Sequence, residues 1–457
     1  MKTILATATA TALAALCAAS AFAADEAAEG RRFPAVLTGQ AVLPAQTLVD
    51  APADAPEHLR HAGKFTTPDR HRTEALGTVL GKDGLRPTGA GLPLAGQSVQ
   101  GFSGIKTMPD GTFWSLSDNG FGAKGNSSDA ALMLHHIAID WTAGTVDRRE
   151  TVFLRDPGKV APFPIVLEGT DTRYLTGADF DVESIQPTAD GFLVGEEFGP
   201  YLLSFDKTGV LRSATETRIG DRTVRSPDHP ALALPADPTK PLPDFNLKRS
   251  GGFEGLALAK DGAHAYGLIE GPLFVDGKPE TVADGRTALR IAEFDTAKGD
   301  WTGRSWLYPL AAGGAAIGDL NMLDATTALV IERDNGAGRA TQGCAGEPKA
   351  DCFAAPAKLK RIVKIEMTDE TVGGAVRKIG YIDLMDIADP KGVARQGTVE
   401  GVYDMPFVTI ENVDRIDDTH IVVANDNNFP YSAGRQIDKA DDTEFVRLEV
   451  GEFLAAK

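Results

Sequence analysis

Acidic and amide side chains recur along this chain at the ends of short apolar runs, a pattern that could assemble an oxygen-rich metal site. One set follows an apolar run, as in Ser117-Asp118-Asn119-Gly120, and another opens one, as at Glu183 and Glu254. Hard oxygen ligands without neighbouring histidine or cysteine suit calcium first and magnesium second. The expected metal ligands are Asp118, Asn119, Glu183, Glu196, Glu254, Glu332, Asp334, Glu411, Asn412, Asn425 and Asp426.

Three further residues are candidates for catalysis beside such a metal. Glu197 or Glu270 would accept a proton, and Arg333 would clamp a phosphate or a carboxylate, since guanidinium binds either group in a bidentate manner. Clustered carboxylates repel one another at low dielectric, so the cluster favours a bound cation, raised pKa values or good hydration. Two alternatives stay open: Asp-Asn-Gly and Glu-Gly-Pro are ordinary turn formers, and Arg333 could form a structural ion pair.

The elements that would position these residues are repeated hairpins. Five segments read as strand, tight turn, strand and polar loop, and a further strand follows each loop; the first begins at Phe102 and the last at Ile410. Asp-Gly between apolar runs is a strong hairpin signal. The repetition predicts an all-β fold, a β-propeller, with a β-sandwich as the alternative. Because the repeats are widely spaced, we expect six or seven blades, of which five are visible.

The two ends of the chain differ from these repeats. Residues 1–23 have the charge, apolar run and Ala-Phe-Ala site of a secretory signal peptide, which predicts a periplasmic or secreted protein. Residues 24–98 form a partly irregular segment that could pair with the last strand and close the propeller, which spans residues 99–457. Cys344 and Cys352 should form a local disulfide in an oxidising compartment, with a zinc pair as the alternative.

The net negative charge of the chain limits the classes of molecule that it is expected to bind. Against 46 Lys and Arg stand 64 Asp and Glu, a formal charge of −18, which disfavours nucleic acid and anionic membranes. After the signal peptide no apolar run is long enough to span a bilayer. We expect a monomer with a small-molecule partner.

The repeated motifs resemble those of the family named for the esterase-like activity of phytase, a domain of secreted bacterial proteins. The resemblance runs from about Gln100 to Phe429, and it rests on motifs such as Asp181-Val182-Glu183-Ser184 and Phe253-Glu254-Gly255-Leu256. It implies phosphoesterase or phosphodiesterase chemistry carried by acidic residues. The leading hypothesis is therefore a calcium-assisted phosphoesterase. Two alternatives are a lactone or ester hydrolase of the gluconolactonase type and a non-catalytic, calcium-stabilised binding propeller.

Overall fold

The computed structural model describes residues 29–66, 72–73, 77–82 and 84–457, and these residues are almost entirely β-structure. The proposed signal peptide, residues 1–23, lies outside the described residues. Five antiparallel four-stranded units, numbered here as blades 1 to 5, follow one another along the chain. Their first strands are Phe102–Thr107, Val182–Pro187, Phe253–Leu258, Ala316–Met322 and Asn412–Arg415.

Each blade continues outward from its first strand through three more strands. Blade 1 adds Phe113–Ser117, Met133–Asp140 and Thr145–Phe153. Blade 2 adds Gly191–Glu196, Tyr201–Asp206 and Leu211–Glu216, and blade 3 adds His264–Ile269, Ala288–Asp295 and Asp300–Pro309. Blade 4 adds Thr327–Arg333, Lys360–Glu366 and Arg377–Asp383, and blade 5 adds His420–Ala424, Thr443–Glu449 and Val36–Leu43.

The five first strands form a closed ring, because each one contacts the first strand of the blade before it and of the blade after it, and blade 5 contacts blade 1. Apolar side chains of adjacent blades pack between the sheets, as where Leu268 and Ile291 of blade 3 join Val330 and Val363 of blade 4 in one core cluster. The predicted all-β propeller is therefore confirmed.

The predicted count of six or seven blades is wrong for the described residues, which form five. The wide spacing between repeats is taken up by loops and short hairpins instead of further blades. One short hairpin follows blade 2, and a second lies between two strands of blade 3. A third group of short strands precedes blade 5. Their strands are Arg218–Ile219, Arg222–Thr223, Phe274–Val275, Lys278–Pro279, Ile387–Ala388, Thr398–Val399 and Val402–Tyr403.

The N-terminal segment contributes to the ring and also crosses one of its ends. Strand Val36–Leu43 pairs antiparallel with Thr443–Glu449 as the outermost strand of blade 5, and Arg31–Phe33 adds a parallel strand to blade 4. The chain then forms two short pairs of strands, Leu48–Val49 with Gln97–Ser98 and Gly77–Leu80 with Pro87–Leu92.

The helices of the described residues are short. A helical turn at Gly451–Ala455 ends the fold, and three 3-10 turns lie at Glu57–Leu59, Ala340–Gln342 and Asp369–Thr371. In the described part of the chain, no helix combines the length and the apolar character that crossing a membrane requires.

Candidate active site: an acidic cavity on the propeller axis

A cavity of about 360 Å³ opens at one end of the ring. Eight carboxylates and three cationic side chains line it, so its formal charge would be −5 if all were ionised. The carboxylates are Asp118, Asp181, Glu183, Glu197, Glu254, Glu270, Glu411 and Asp426. The cations are Lys82, Lys248 and Arg333. We call this set of residues the acidic cavity.

The inner ring of the cavity comes from equivalent positions near the start of each first strand. The pairing register skips Glu183 between Val182 and Ser184, and it skips Glu254 between Phe253 and Gly255. Such β-bulges leave a residue out of the ladder and re-aim its side chain, and they are common beside active sites. The corresponding residues of blades 1, 4 and 5 are Ser103, Gly318 and Glu411.

Blade 4 interrupts the inner ring. A Cβ at Gly318 would lie 2.3 Å from the Ile410 backbone oxygen, so no side chain fits there. Arg333, from the second strand of the same blade, brings its guanidinium to this side of the cavity. Its Nη2 lies 3.4 Å from Glu270 Oε1, 3.4 Å from Glu411 Oε1 and 3.8 Å from Glu254 Oε1. One cation therefore faces three carboxylates from two repeats, blades 3 and 5.

The outer ring comes from the end of each second strand. Its members are Asp118, Glu197, Glu270, Arg333 and Asp426. In the first three blades the backbone N–H of the ring residue donates to the residue that precedes the first strand: Asp118 to Gly101, Glu197 to Asp181 and Glu270 to Gly252. Equivalent backbone positions thus place one charged side chain of each blade at the cavity.

The carboxylates lie close enough to share cations. Three overlapping triads each have one oxygen per residue within 4.8 Å of the other two. Calcium binds oxygen at about 2.3–2.6 Å, so such spacing suits ligands on one ion. Glu197 Oε1 and Glu254 Oε2 are buried without a hydrogen-bond partner among the described residues. The triads are Asp181, Glu183 and Glu197; Glu183, Glu254 and Glu411; and Glu197, Glu254 and Glu270.

Burial and mutual repulsion raise the pKa values of acids in the cavity. Burial, then the neighbouring carboxylates, raise the pKa of Glu183, Glu197 and Glu254 well above the ordinary value. Burial and Asp426 raise the pKa of Glu411 to about 8. Such shifts are found where a site holds charge that a ligand or metal would compensate.

The basic side chains of the cavity interact with these carboxylates or with polar groups at its mouth. Burial lowers the pKa of Arg333, but Glu411, Glu270 and Glu254 outweigh burial and raise it. Lys248 Nζ donates to Glu270 Oε2 at 2.8 Å. Lys82 Nζ donates to Asn428 Oδ1, so the N-terminal segment reaches the mouth of the cavity.

Polar side chains on the axis connect three blades. Asn321 of blade 4 donates through Nδ2 to the carbonyl oxygens of Ile105 at 3.2 Å and Val413 at 2.8 Å. Asp319 accepts from the Val413 N–H at 3.1 Å and from Leu320 at 2.8 Å, while burial raises its pKa well above the ordinary value. These bonds link blade 4 to blades 1 and 5 along the axis.

The structure brings together most of the residues that the sequence indicated, including both candidate bases and the candidate clamp. At the cavity it places Asp118, Asn119, Glu183, Glu197, Glu254, Glu270, Arg333, Glu411 and Asp426. Asn119 has a structural part as well, because its Nδ2 donates to Asp181 Oδ2 at 2.7 Å.

Five expected ligands do not line the acidic cavity. Glu196 instead accepts the backbone N–H groups of Phe198, Gly199 and Tyr201 at 2.7–2.8 Å. These three hydrogen bonds hold the turn after its strand. The other four residues away from the cavity are Glu332, Asp334, Asn412 and Asn425.

Each of these four has its own structural partners. Glu332 is fully buried and pairs with Arg361 and Lys378. Asp334 accepts from Lys358 and Leu359 N–H groups, and Asn412 donates to the Phe102 carbonyl. Asn425 accepts the Glu444 N–H at 2.8 Å.

Three of these five residues lie one position away from a residue that lines the cavity, on the same second strand or just after it. Successive strand residues point to opposite faces, so a one-residue shift moves a side chain from one face to the other. Glu197, Arg333 and Asp426 face the cavity, whereas Glu196, Glu332 and Asn425 do not.

Asp181, Lys248 and Lys82 were missed as site residues. Asp181 stands two positions before Glu183, and Lys248 lies six before Glu254, so both are near a recognisable motif. Lys82 lies in the irregular N-terminal segment, where the sequence carries no comparable signal. The disulfide between Cys344 and Cys352 is present, as predicted.

Several known proteins are similar to this chain in sequence or in structure. An uncharacterized secreted protein of Arthroderma benhamiae is 29% identical over 184 residues, which cover 35% of this chain and 36% of that protein. The chain thus spans about a third of the length of this curated relative. The periplasmic gluconolactonase PpgL of Pseudomonas aeruginosa is 12% identical, with a TM-score of 0.30, over 81% of this chain and 98% of its own.

A Bacillus subtilis arabinanase, Arb43A, is 11% identical over 75% of this chain and 92% of its own, with a TM-score of 0.34. These two likenesses are too distant to indicate the chemistry of this chain. The family "Phytase-like: Esterase-like activity of phytase" matches residues 97–429, which include all five first strands and ten of the eleven charged residues of the acidic cavity. The chain belongs to the phytase-like family.

Proposed function

We propose that this protein is an exported, calcium-assisted phosphoesterase that acts on phosphodiesters or related phosphate esters. The observation that carries the proposal is the combination of three overlapping carboxylate triads with Arg333, Lys248 and Lys82 in one cavity. The triads suit a hard cation, and the basic side chains suit the oxygens of a phosphate group. Export is supported by the proposed signal peptide and by the secreted relative.

The donor set fits calcium, with magnesium as the less favoured ion. Glu183, Glu254 and Glu411 would hold the ion, because three different blades present them at one level of the ring and the Glu254 Oε2 atom has no described partner. Asp181, which lies in a triad with Glu183, would complete its shell. When bound, calcium would neutralise the carboxylates, polarise the phosphate and lower the pKa of an attacking water.

The residues of the chain supply orientation and proton transfer. Arg333 and Lys248 would bind the phosphate oxygens, since both cations face the acidic cavity. Glu197 is the better candidate for a proton acceptor, because its Oε1 is unpartnered among the described residues and its pKa is raised. A base is most effective when its pKa lies near the working pH. Glu270 is already engaged by Lys248 at 2.8 Å.

Hydrolysis of bis-p-nitrophenyl phosphate by the mature protein tests the proposal, in calcium and after chelation. We expect activity that disappears with chelator and returns with calcium. Glu183→Gln and Glu254→Gln should each lower calcium-dependent kcat/KM at least 100-fold while the thermal midpoint stays within a few degrees. Glu449→Gln, an exposed change on an outer strand, is the matched control and should retain full activity.

Three outcomes would contradict the proposal. Undiminished turnover in both variants would remove the inner ring from the mechanism. Hydrolysis of lactones but not of phosphodiesters would favour the gluconolactonase-type alternative. Calcium binding measured by calorimetry, with no hydrolysis of any ester tested, would indicate a non-catalytic binding propeller.

A further inference from the structure

A second cavity of about 200 Å³ adjoins the acidic cavity. The two share Lys82, Asn335 and Val408 in their walls, so they are neighbours at one mouth. Unlike the acidic cavity, the second one has no carboxylate among the described residues that line it. We call it the annex and define it by its apolar walls, Ala337, Phe353, Ala355, Val408, Tyr431 and Ala433.

Three separate parts of the chain build the annex. Phe353 directly follows the loop closed by the Cys344–Cys352 disulfide, and the Cys344 N–H donates to the Phe353 carbonyl at 2.9 Å. Tyr431 follows blade 5's second strand, and its carbonyl accepts the Lys82 N–H at 3.2 Å. The walls are therefore tied to one another by covalent and hydrogen bonds, which favours a preformed pocket.

Arg86 also lines the annex, and it connects the N-terminal segment to the disulfide loop. Its guanidinium lies 4.9 Å from the centre of the Phe353 ring, and its Nη1 donates to the Cys352 carbonyl at 2.9 Å. Phe353 is 2% exposed, so it forms a fixed wall. Ala355 is exposed and lines the open side of the annex.

We propose that the annex is a subsite for an apolar or aromatic substituent of the ester, next to the phosphate that the acidic cavity would bind. This inference rests on the proposed function for the position of the phosphate. The cations Lys82 and Arg86 line part of the annex, and Arg86 is engaged by the Cys352 carbonyl and the Phe353 ring. The remaining walls are mainly apolar, so a planar apolar group would gain burial against Phe353, Tyr431 and alanine methyl groups. The volume suits one ring or a short chain.

Binding of two phosphonates tests the annex without requiring turnover. In the presence of calcium, calorimetry should show that phenylphosphonate binds the mature protein at least tenfold more tightly than methylphosphonate. Ala355→Trp should fill the annex and reduce this preference at least fivefold. Ala350→Trp, the same change at an exposed position of the same loop outside the annex, is the control and should preserve the preference. Tyr431→Ala should also reduce the preference, through loss of a wall.

The outcomes separate this inference from the proposed function. Equal affinity for the two phosphonates in the wild type, or an undiminished preference in both Ala355→Trp and Tyr431→Ala, would overturn the annex even if phosphodiesters are hydrolysed. A clear preference that Ala355→Trp removes, in a protein that hydrolyses no ester, would support the annex as a binding subsite and contradict the catalytic proposal alone.

Discussion

At the scale of single residues, the acidic cavity holds carboxylates whose ionised form is disfavoured by burial and by repulsion between neighbouring acids. Glu183, Glu197 and Glu254 are buried beside one another, and one guanidinium faces three acids. A buried ion pair stabilises a protein only where geometry and hydrogen bonds compensate for lost hydration. Here two carboxylate oxygens remain unpartnered in the described structure, which favours a cation as the missing partner.

The raised pKa values predict that metal-free protein loses stability as pH rises. Asp181, with a pKa of about 6, and Glu411, with a pKa of about 8, hold protons in the folded state that they release near pH 4 when unfolded. The stabilisation is therefore complete below about pH 4 and is lost between about pH 4 and 8. Glu196 and Asp441, whose pKa values are about 8 and 6, add to the same trend.

Thermal denaturation in chelator should accordingly show a lower midpoint at pH 8 than at pH 5.5. Calcium should raise the midpoint more at pH 8, because metal binding requires deprotonated carboxylates. At 100 times the dissociation constant, calcium would add about 2.7 kcal/mol to the free energy of unfolding. A calcium effect that is equal at both pH values would contradict a carboxylate site.

At the scale of elements, β-bulges and strand ends decide which acids meet. The bulges at Glu183 and Glu254 and the ends of the second strands place two rings at one level. Glu196 and Glu197 are adjacent, yet one holds a turn and the other lines the cavity.

This pair predicts opposite effects for the same substitution. Glu196→Gln should lower the free energy of unfolding by about 1–3 kcal/mol, because an amide group would replace an acceptor of buried N–H groups. Its calcium affinity should change less than threefold. Glu197→Gln should lower calcium-dependent turnover at least tenfold with a smaller loss of stability. Urea denaturation measures the stability, calorimetry measures the calcium affinity and the phosphodiester assay measures turnover; the reverse pattern would show that the register is different.

The sequence predicted the hairpins and the two acidic sets, because Asp-Gly turns and acid-bearing strand ends are local signals. The sequence could not decide that Glu197 faces the cavity and Glu196 does not. The predicted end of a strand is uncertain by one residue, and a shift of one residue moves a side chain to the opposite face of the sheet. The bulges that turn Glu183 and Glu254 inward depend on neighbouring blades. Lys82 reaches the cavity only through the path of the N-terminal segment, which no local pattern encodes.

At the scale of the whole molecule, closure of the ring makes the N-terminal strand part of the last blade. Leu37 is 1% exposed and belongs to the core cluster shared by blades 4 and 5. The same strand has one parallel pairing with blade 1, between Val42 and Thr145. It thus covers an edge that would otherwise be open to pairing with another chain.

Leu37→Ala should therefore destabilise the whole propeller. Removing a buried leucine side chain costs about 2–5 kcal/mol, depending on how far the surroundings relax. We expect a lower urea midpoint for both near-ultraviolet circular dichroism and tryptophan fluorescence, with the two signals still coincident. Separate transitions would show that blade 5 unfolds independently of the ring. Leu234→Ala, in an exposed loop, is the control.

Pairing of the first long strand with the last has a consequence for biosynthesis. Leu43 and Thr443 are register partners although 400 positions separate them. At about 5–20 residues per second, the early strand leaves the ribosome roughly 20–80 s before its partner is synthesised. During that interval blade 5 cannot be completed. Closure of this propeller is therefore a late step of its synthesis, because it waits for the strand Thr443–Glu449.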